Sequence, residues 1–508
     1  MNKCPICKSN DVHELQNYHW YCRGCNRDIG LDFVLDTSPY EKKLLGILKH
    51  EKCRLLITSA QNDTAIHPGF FNSLKTYCKN RNAHLIVIPY RMKNPNPRTS
   101  SEQERDLPWA APIMPYLLDK RMVINKNLVL MADIKITPTQ TRPLSTLESI
   151  TEDKSGIFGH AKLELVTIAT PQNKLAKILT TTGAITKSNN YLDTKAGKRG
   201  EFSHILGATL VEKDGGKFYL RQIHACKDGS FIDLDTEYLP TGQTRKVRAK
   251  ALVCGDLHYE FLNPKVQEAT FDSKNSMLKV LKPEYVVLHD AWDGYCITHH
   301  HAHQHFIRYF KNKDGRNDVR KSLLEFYNFL DTHIPKNIRI IFPASNHPEF
   351  LFRWLNDMDW RDDMTNAHFM VDSWKEIFKH GKSTEFGTEI PDIFKYWGSQ
   401  FMQTYSRALF LARDRSFTIA GIEVSMHGDR GANGSKGNIA SFGKMGVKSI
   451  VGHVHTPGIR DGTVMVGVSA FLNMDYAKTS PTSWLNTHCV VYKNGKRSLL
   501  IIMPDGSW

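Results

Sequence analysis

Five short blocks in the second half of the chain end in side chains that bind divalent cations: Asp256-Leu-His258, His289-Asp290, Asn346-His347, His427 and His453-Val-His455. Carboxylate, imidazole and amide oxygen are the donors that hard and borderline divalent ions accept. One such residue alone is more often a hydrogen-bonded structural group, but the ordered set reads as a dinuclear site. Two ions ~3.5–4 Å apart suit in-line attack of a shared, activated water on a phosphate ester, with the metals and nearby cations stabilising charge on the equatorial oxygens. The mixed N/O donors favour Mn²⁺, with Fe²⁺, Zn²⁺ and Mg²⁺ as alternatives.

The elements that must position these residues are strands. Val253-Cys254, Tyr285-Val-Val-Leu288, Ile338-Arg-Ile-Ile-Phe342, Thr418 to Val424 and Ser449-Ile-Val451 are apolar runs leading into the blocks. Residues two apart at a strand end point to the same side, so Asp256 and His258 can share an ion. Val319 to Leu330 and Asp392 to Leu411 have helical spacing with aromatic and leucine stripes, the pattern of core faces.

This ordered set resembles the calcineurin-like metallophosphoesterase superfamily, whose pattern runs Asp-x-His, Gly-Asp, Gly-Asn-His-(Asp/Glu), His, Gly-His-x-His. The resemblance covers residues 249–508 and implies an α/β fold: two facing mixed β-sheets flanked by helices, with ligands on loops at the strand ends. It implies that Asp256, His258 and His455 hold one metal, that Asn346, His427 and His453 hold the other, and that Asp290 bridges them. His347 then stabilises or protonates the leaving oxygen. The sequence departs from the pattern twice: His289 precedes Asp290 where the family has glycine, and Pro348 follows His347 where the family has the carboxylate that orients the ring. Glu349 lies one place further on.

Residues 1–35 carry Cys4-Pro-Ile-Cys7 and Cys22-Arg-Gly-Cys25, and Tyr18, Trp20 and Tyr21 between them read as a strand. Two such knuckles place four thiolates around a structural Zn²⁺ and leave no open coordination position. From 40 to 248 the chain reads as an α/β accessory domain for DNA binding or oligomerisation. Arg54 to Thr58, Leu85 to Pro89 and Leu128 to Met131 read as strands and Gly69 to Lys79 as a helix, a small parallel unit. It lacks a Gly-rich phosphate loop. Residues 91–108 are rich in Pro, Asn, Arg and Ser and read as a loop.

The chain has 508 residues, 41% apolar and 23% charged, with a formal charge of +15. Such a length calls for more than one core, and the basic excess favours a polyanionic partner. No apolar run is long enough for a membrane span, and the N-terminus is not a signal peptide, so the expected location is a cytoplasm, that of the host if the protein is phage-encoded. The six cysteines outside the ribbon are scattered singly, as in a reducing compartment.

After His427 the chain continues Gly-Asp-Arg430-Gly-Ala-Asn-Gly-Ser-Lys436-Gly. Glycines at this density allow close approach of a phosphate, with Arg430 and Lys436 as cationic contacts; a flexible surface loop is the plainer alternative. This loop is similar to that of phage-encoded DNases and DNA-transfer early proteins. Lys195, Lys198 and Arg199, and Arg245, Lys246, Arg248 and Lys250, form two basic clusters that read as a solvated face or a backbone-tracking groove. The run His299-His-His-Ala-His-Gln-His305 reads mainly as solvated, with one or two rings lining the cleft. The reading that results is a two-metal phosphodiesterase, a DNase. A phosphomonoesterase with the same site, and a non-catalytic DNA-binding protein with a vestigial one, are the alternatives.

Overall fold

The computed structural model describes residues 37–91, 109–171, 174–188, 194–385, 387–474 and 480–508. It also describes the backbone of three short strands, Val12–Glu14, Trp20–Cys22 and Arg27–Asp28, which form an antiparallel sheet. Cys4, Cys7, Cys25 and the side chain of Cys22 lie outside the described residues, as does nearly all of the loop expected at 91–108.

A six-stranded sheet carries the first three ligand blocks. Its order is Ala408–Phe410, Arg339–Phe342, Tyr285–Leu288, Ala251–Cys254, Thr487–Val491, Arg497–Ile501. The first four strands run parallel, so their C-terminal ends open on one side of the molecule. Parallel strands are buried on both faces and so read as continuous apolar runs. The pleat sorts them: Ala251, Val253, Val287, Ile341, Cys489 and Val491 face one core, while Leu252, Cys254, Val286, Leu288, Ile340 and Phe342 face another. The second core is closed by the helices Val319–His333, Glu349–Asp357, Ala367–His380 and Ile393–Phe401. Each fully buried Val, Leu or Ile contributes roughly 1.5–3 kcal/mol, so the alternation is what commits the sheet to its register.

The first core lies between this sheet and a ten-stranded mixed one. That second sheet carries the remaining ligand blocks on Ile422–Glu423 and Ser449–Val451, which are parallel neighbours. Its other half comes from Arg121–Asn125, Leu128–Met131, Ser155–Phe158, Leu165–Ile168 and Lys177–Thr181. The ladder is continuous from 418–465 into 121–181 through Ile459 opposite Leu165. Leu128–Met131 therefore does not join the strands Lys52–Gln61 and Ala83–Tyr90, as the local βαβ spacing suggested. Those two pair parallel around the helix Pro68–Arg81, and Gly207–Asp214 and Lys217–His224 extend them antiparallel. Local spacing cannot say which sheet accepts a strand; the mutual fit of apolar faces decides it.

The helix expected over 392–411 stops at Phe401. A one-turn 3₁₀ segment, Tyr405–Arg407, and the edge strand Ala408–Phe410 follow. Its aromatic stripe is thus shared between helix and strand, with Phe410 stacked on Phe342 at 4.6 Å. Among the described residues no helix is long and apolar enough to cross a membrane.

Candidate metal centre

Each sequence-predicted ligand lies within four residues of the end of a buried strand, and the two sheets deliver their ligands to the same end of the sandwich. This is the C-terminal edge where open α/β sheets bind ligands. Backbone pairing holds the first two ligand loops together: Leu257 N–H donates to the His289 carbonyl at 2.9 Å and His258 N–H to the Asp290 carbonyl at 2.8 Å. Asp256 is tied on its other side by Gly467 and Ser469.

The backbone is bent to bring these groups in. His258, Asp290, His453 and His455 have φ of +43°, +37°, +74° and +57°. Residues with side chains rarely adopt this region, at a cost of about 1–3 kcal/mol each. Four of them in one cluster mean that the surrounding fold imposes the arrangement.

Ligand atoms converge in three groups: Asp256, His258 and His455; His258, Asp290 and His347; and Asp290, His427 and His453, each within 4.8 Å. His258 Nε2 lies 3.0 Å from His455 Nε2, which lies 3.2 Å from Asp256 Oδ2. His427 Nε2 lies 3.0 Å from Asp290 Oδ2 and 3.1 Å from the Asn346 amide oxygen. Asp290 stands between the two halves, as a bridging carboxylate must. Asp256, His258, Asp290, His427 and His455 are buried and His453 is partly so.

The donor set fits divalent ions. His258 Nδ1 donates to Asp293 Oδ1 at 2.7 Å, which fixes its proton there and turns the Nε2 lone pair toward Asp256 and His455. The buried Asp256 Oδ1 has no hydrogen-bond donor. Burial alone would raise the Asp256 carboxyl, but His455 and His427 hold it down at about 2, so it is ionised at neutral pH. Against the same burial, His427 and His347 hold Asp290 well below the carboxylate range.

Gly452 has a steric reason. A Cβ there would lie 2.1 Å from Asp256 Oδ1, on a carboxylate that also accepts from the His453 N–H at 2.7 Å. Gly452→Ala is therefore expected to displace Asp256, at about 1–3 kcal/mol of overpacking, and to weaken Mn²⁺ binding tenfold or more. Calorimetric titration checks this, and unchanged affinity would remove Asp256 from the ligand set.

Asp293 is the residue that sequence reasoning missed. It supplies the carboxylate that the sequence lacks after His347: His347 Nδ1 donates to the Asp293 carbonyl at 2.8 Å and lies 3.3 Å from its Oδ1. The signal was present in Asp290-Ala-Trp-Asp293, a second carboxylate three places on, but nothing local tied it to a histidine 54 residues away. Glu349 cannot serve, because Pro348 starts the helix Glu349–Asp357 and turns the next side chain away. Glu349 instead meets Arg413 at 2.6 Å and Arg430 at 3.2 Å. Burial works against the charged His347 imidazole, yet Asp290 and Asp293 push it up to about 10. His289, standing where the family pattern has glycine, is fully buried beside His427, their Nδ1 atoms 3.4 Å apart. Burial and the neighbouring His427 press its pKa down to about 4, so it is neutral and can accept from His427.

The phosphate-contact candidates are placed differently. Arg430 is paired with Glu349 on the wall of a 790 Å³ groove that also takes in Ser345, Pro348 and Arg413. Lys436 lies opposite Arg430 across the narrow loop and is exposed. The loop's glycines have different reasons: a Cβ at Gly437 would lie 2.0 Å from the Gly428 carbonyl oxygen, whereas Gly434 has open space around it and a φ of +76°. In the second basic cluster, Arg245 pairs with Glu237, Lys246 with Asp235 and Lys250 with Glu284. Each of these three cations thus has an acid beside it, while Arg245 and Lys246 remain exposed.

No family model and no solved structure matches the chain. Protein A1 of Escherichia phage T5 is 31% identical over 468 residues, spanning 88% of this chain and 81% of that protein. The alignment is too long to be confined to the ligand blocks and is consistent with a phage-encoded protein. By this extent and identity, the chain belongs to the family of the T5 protein A1.

Proposed function

We propose that this protein is a two-metal phosphodiesterase of the calcineurin-like metallophosphoesterase type, acting on DNA. The observation that carries the reading is the meeting of seven donor residues, delivered by loops of two facing sheets, with the Asp290 carboxylate beside His258 on one side and His427 on the other. Asp256, His258 and His455 would hold one ion and Asn346, His427 and His453 the other. When bound, the ions would lower the pKa of water and draw charge from the phosphoryl oxygens. Mixed nitrogen and oxygen donors favour Mn²⁺.

The chain's own residues supply the rest. His347 keeps its Nδ1 proton on the Asp293 carbonyl, so the proton it can deliver to a leaving oxygen sits on Nε2. Asp293 holds both His258 and His347, linking a ligand and an acid through one carboxylate. Buried surroundings strengthen each of these interactions relative to water.

The +15 charge supports a polyanionic substrate. Purified protein with Mn²⁺ is expected to nick or degrade plasmid and to turn over bis(p-nitrophenyl) phosphate faster than p-nitrophenyl phosphate. Preference for the monoester would replace this reading with a phosphatase. DNA retention without hydrolysis of either ester would make the site vestigial.

A further inference from the structure

The helix His305–Lys313 turns its aromatic rings outward together with Arg308 and Lys313. Its buried side chain is Lys311, only 5% exposed, while Phe306, Tyr309 and Phe310 are 82%, 62% and 53% exposed. Lys311 donates to the Tyr295 carbonyl and sits 4.0 Å above the Tyr295 ring, which Arg316 also covers at 4.2 Å. These contacts fix the helix with its aromatic side outward. Phe306, Tyr309, Phe310 and Lys313 fall at i, i+3, i+4 and i+7, a single stripe. Contiguous apolar surface of this kind marks an interaction site.

The stripe borders a 740 Å³ groove whose lining includes His299, His305, Arg308, Tyr309, Phe350 and Arg353. One wall of the groove, Phe350, is shared with the metal centre. Phe350 lies 5.1 Å from the His299 ring on one side and 4.7 Å from the His347 ring on the other. Within the helix the charged residues are Arg308, Lys311 and Lys313, with no acid. Asp357, Asp362 and Asp363 lie on the groove wall as well, so the cationic side is that of the helix and Arg353.

We propose that this aromatic and cationic stripe is a docking surface for single-stranded DNA, which leads an unpaired strand along the groove to His347. Bases stack on Phe306, Tyr309 and Phe310, and phosphates meet Arg308, Lys313 and Arg353. Exposed aromatic rings interleaved with cations are what single-strand binding uses, because every base has a π-face and the backbone is anionic. Duplex DNA hides its base faces in the stack and gains only the cations. The inference rests on the phosphodiesterase reading for the strand's destination, though not for its binding.

The test uses the full-length chain. Binding of a fluorescein-labelled 20-mer of oligo(dT) and of a 20-base-pair duplex is measured by anisotropy in an Asp256→Asn background. Adding Phe306→Ala and Tyr309→Ala together is expected to weaken oligo(dT) binding about tenfold or more and to leave duplex binding within about twofold. In the wild-type background the same pair is expected to leave Mn²⁺-dependent hydrolysis of bis(p-nitrophenyl) phosphate unchanged, which also shows that the variant folds. Phe306→Trp is expected to retain oligo(dT) affinity. Equal oligo(dT) binding with and without the rings overturns the proposal. So does a change of oligomeric state in the double variant by light scattering, which would assign the stripe to a second copy of the chain. Failure of the wild type to hydrolyse the small ester, with ring-dependent oligo(dT) binding intact, would overturn the phosphodiesterase reading and leave the docking surface standing.

Discussion

Asp290→Ala is expected to lower Mn²⁺-dependent DNA hydrolysis by at least about a thousandfold, since under the proposed two-metal function both ions would lose their bridging carboxylate at once. Loss of one preorganised electrostatic contact typically costs 10²–10³ in rate, and Asp290 touches both halves through its contact with His427 and its place beside His258 and His347. Activity is not the sole readout. Ion binding to the folded state alone stabilises it by about 2.7 kcal/mol at a hundredfold excess over Kd. The wild-type melting temperature is therefore expected to rise with added Mn²⁺, and that of Asp290→Ala to respond far less. Full retention of the metal-induced shift would remove Asp290 from the bridging position and the two-metal reading with it.

The second large effect concerns His347 and the residue that holds it. His347→Ala is expected to slow DNA cleavage by about 10²–10⁴, the usual contribution of a positioned acid. The loss should be far smaller with bis(p-nitrophenyl) phosphate, whose leaving group needs no proton. The sign of the pH dependence follows from the charges around the ring. Burial opposes the charged imidazole, but Asp290 and Asp293 outweigh it and raise the pKa, so the acid form is present at low and neutral pH and is lost as pH rises through the raised value. Removing a negative partner lowers that value. Asp293→Asn is thus expected to move the alkaline limb of the kcat profile to lower pH, and also to weaken Mn²⁺ binding through His258, about 10–100-fold for loss of such a supporting contact. A limb that stays in place in Asp293→Asn, or equal losses of His347→Ala on both substrates, would reassign His347 to a purely structural role.

The candidate ligand set was legible because metal chemistry restricts residue types, and five blocks of such residues in one order are far more specific than any one of them. The apolar runs before each block were legible for a similar reason: strands buried on both faces leave no polar alternation to confuse the reading. A basic run such as Arg245 to Lys250 shows its charge in the sequence but not the acids opposite it. Glu237, Asp235 and Glu284 come from a neighbouring strand, a turn and the bend just before the strand Tyr285–Leu288.

Two features required the three-dimensional structure. The ten-stranded sheet takes strands from 121–181 and from 418–465, so one face of the candidate metal centre's support is built from a part of the chain that carries no ligand. Strand partners at that separation are chosen by which apolar faces bury each other, and many pairings satisfy the same local pattern. The orientation of His347 is the other. The sequence shows Pro348 where a carboxylate was expected, and only the fold reveals that the bend at Asp290 brings Asp293 under the ring. Residue type, and therefore which atoms can ligate or transfer protons, is fixed by the sequence itself. Which of those atoms meet depends on backbone bends of positive φ and on contacts between distant loops, and these are properties of the packed chain.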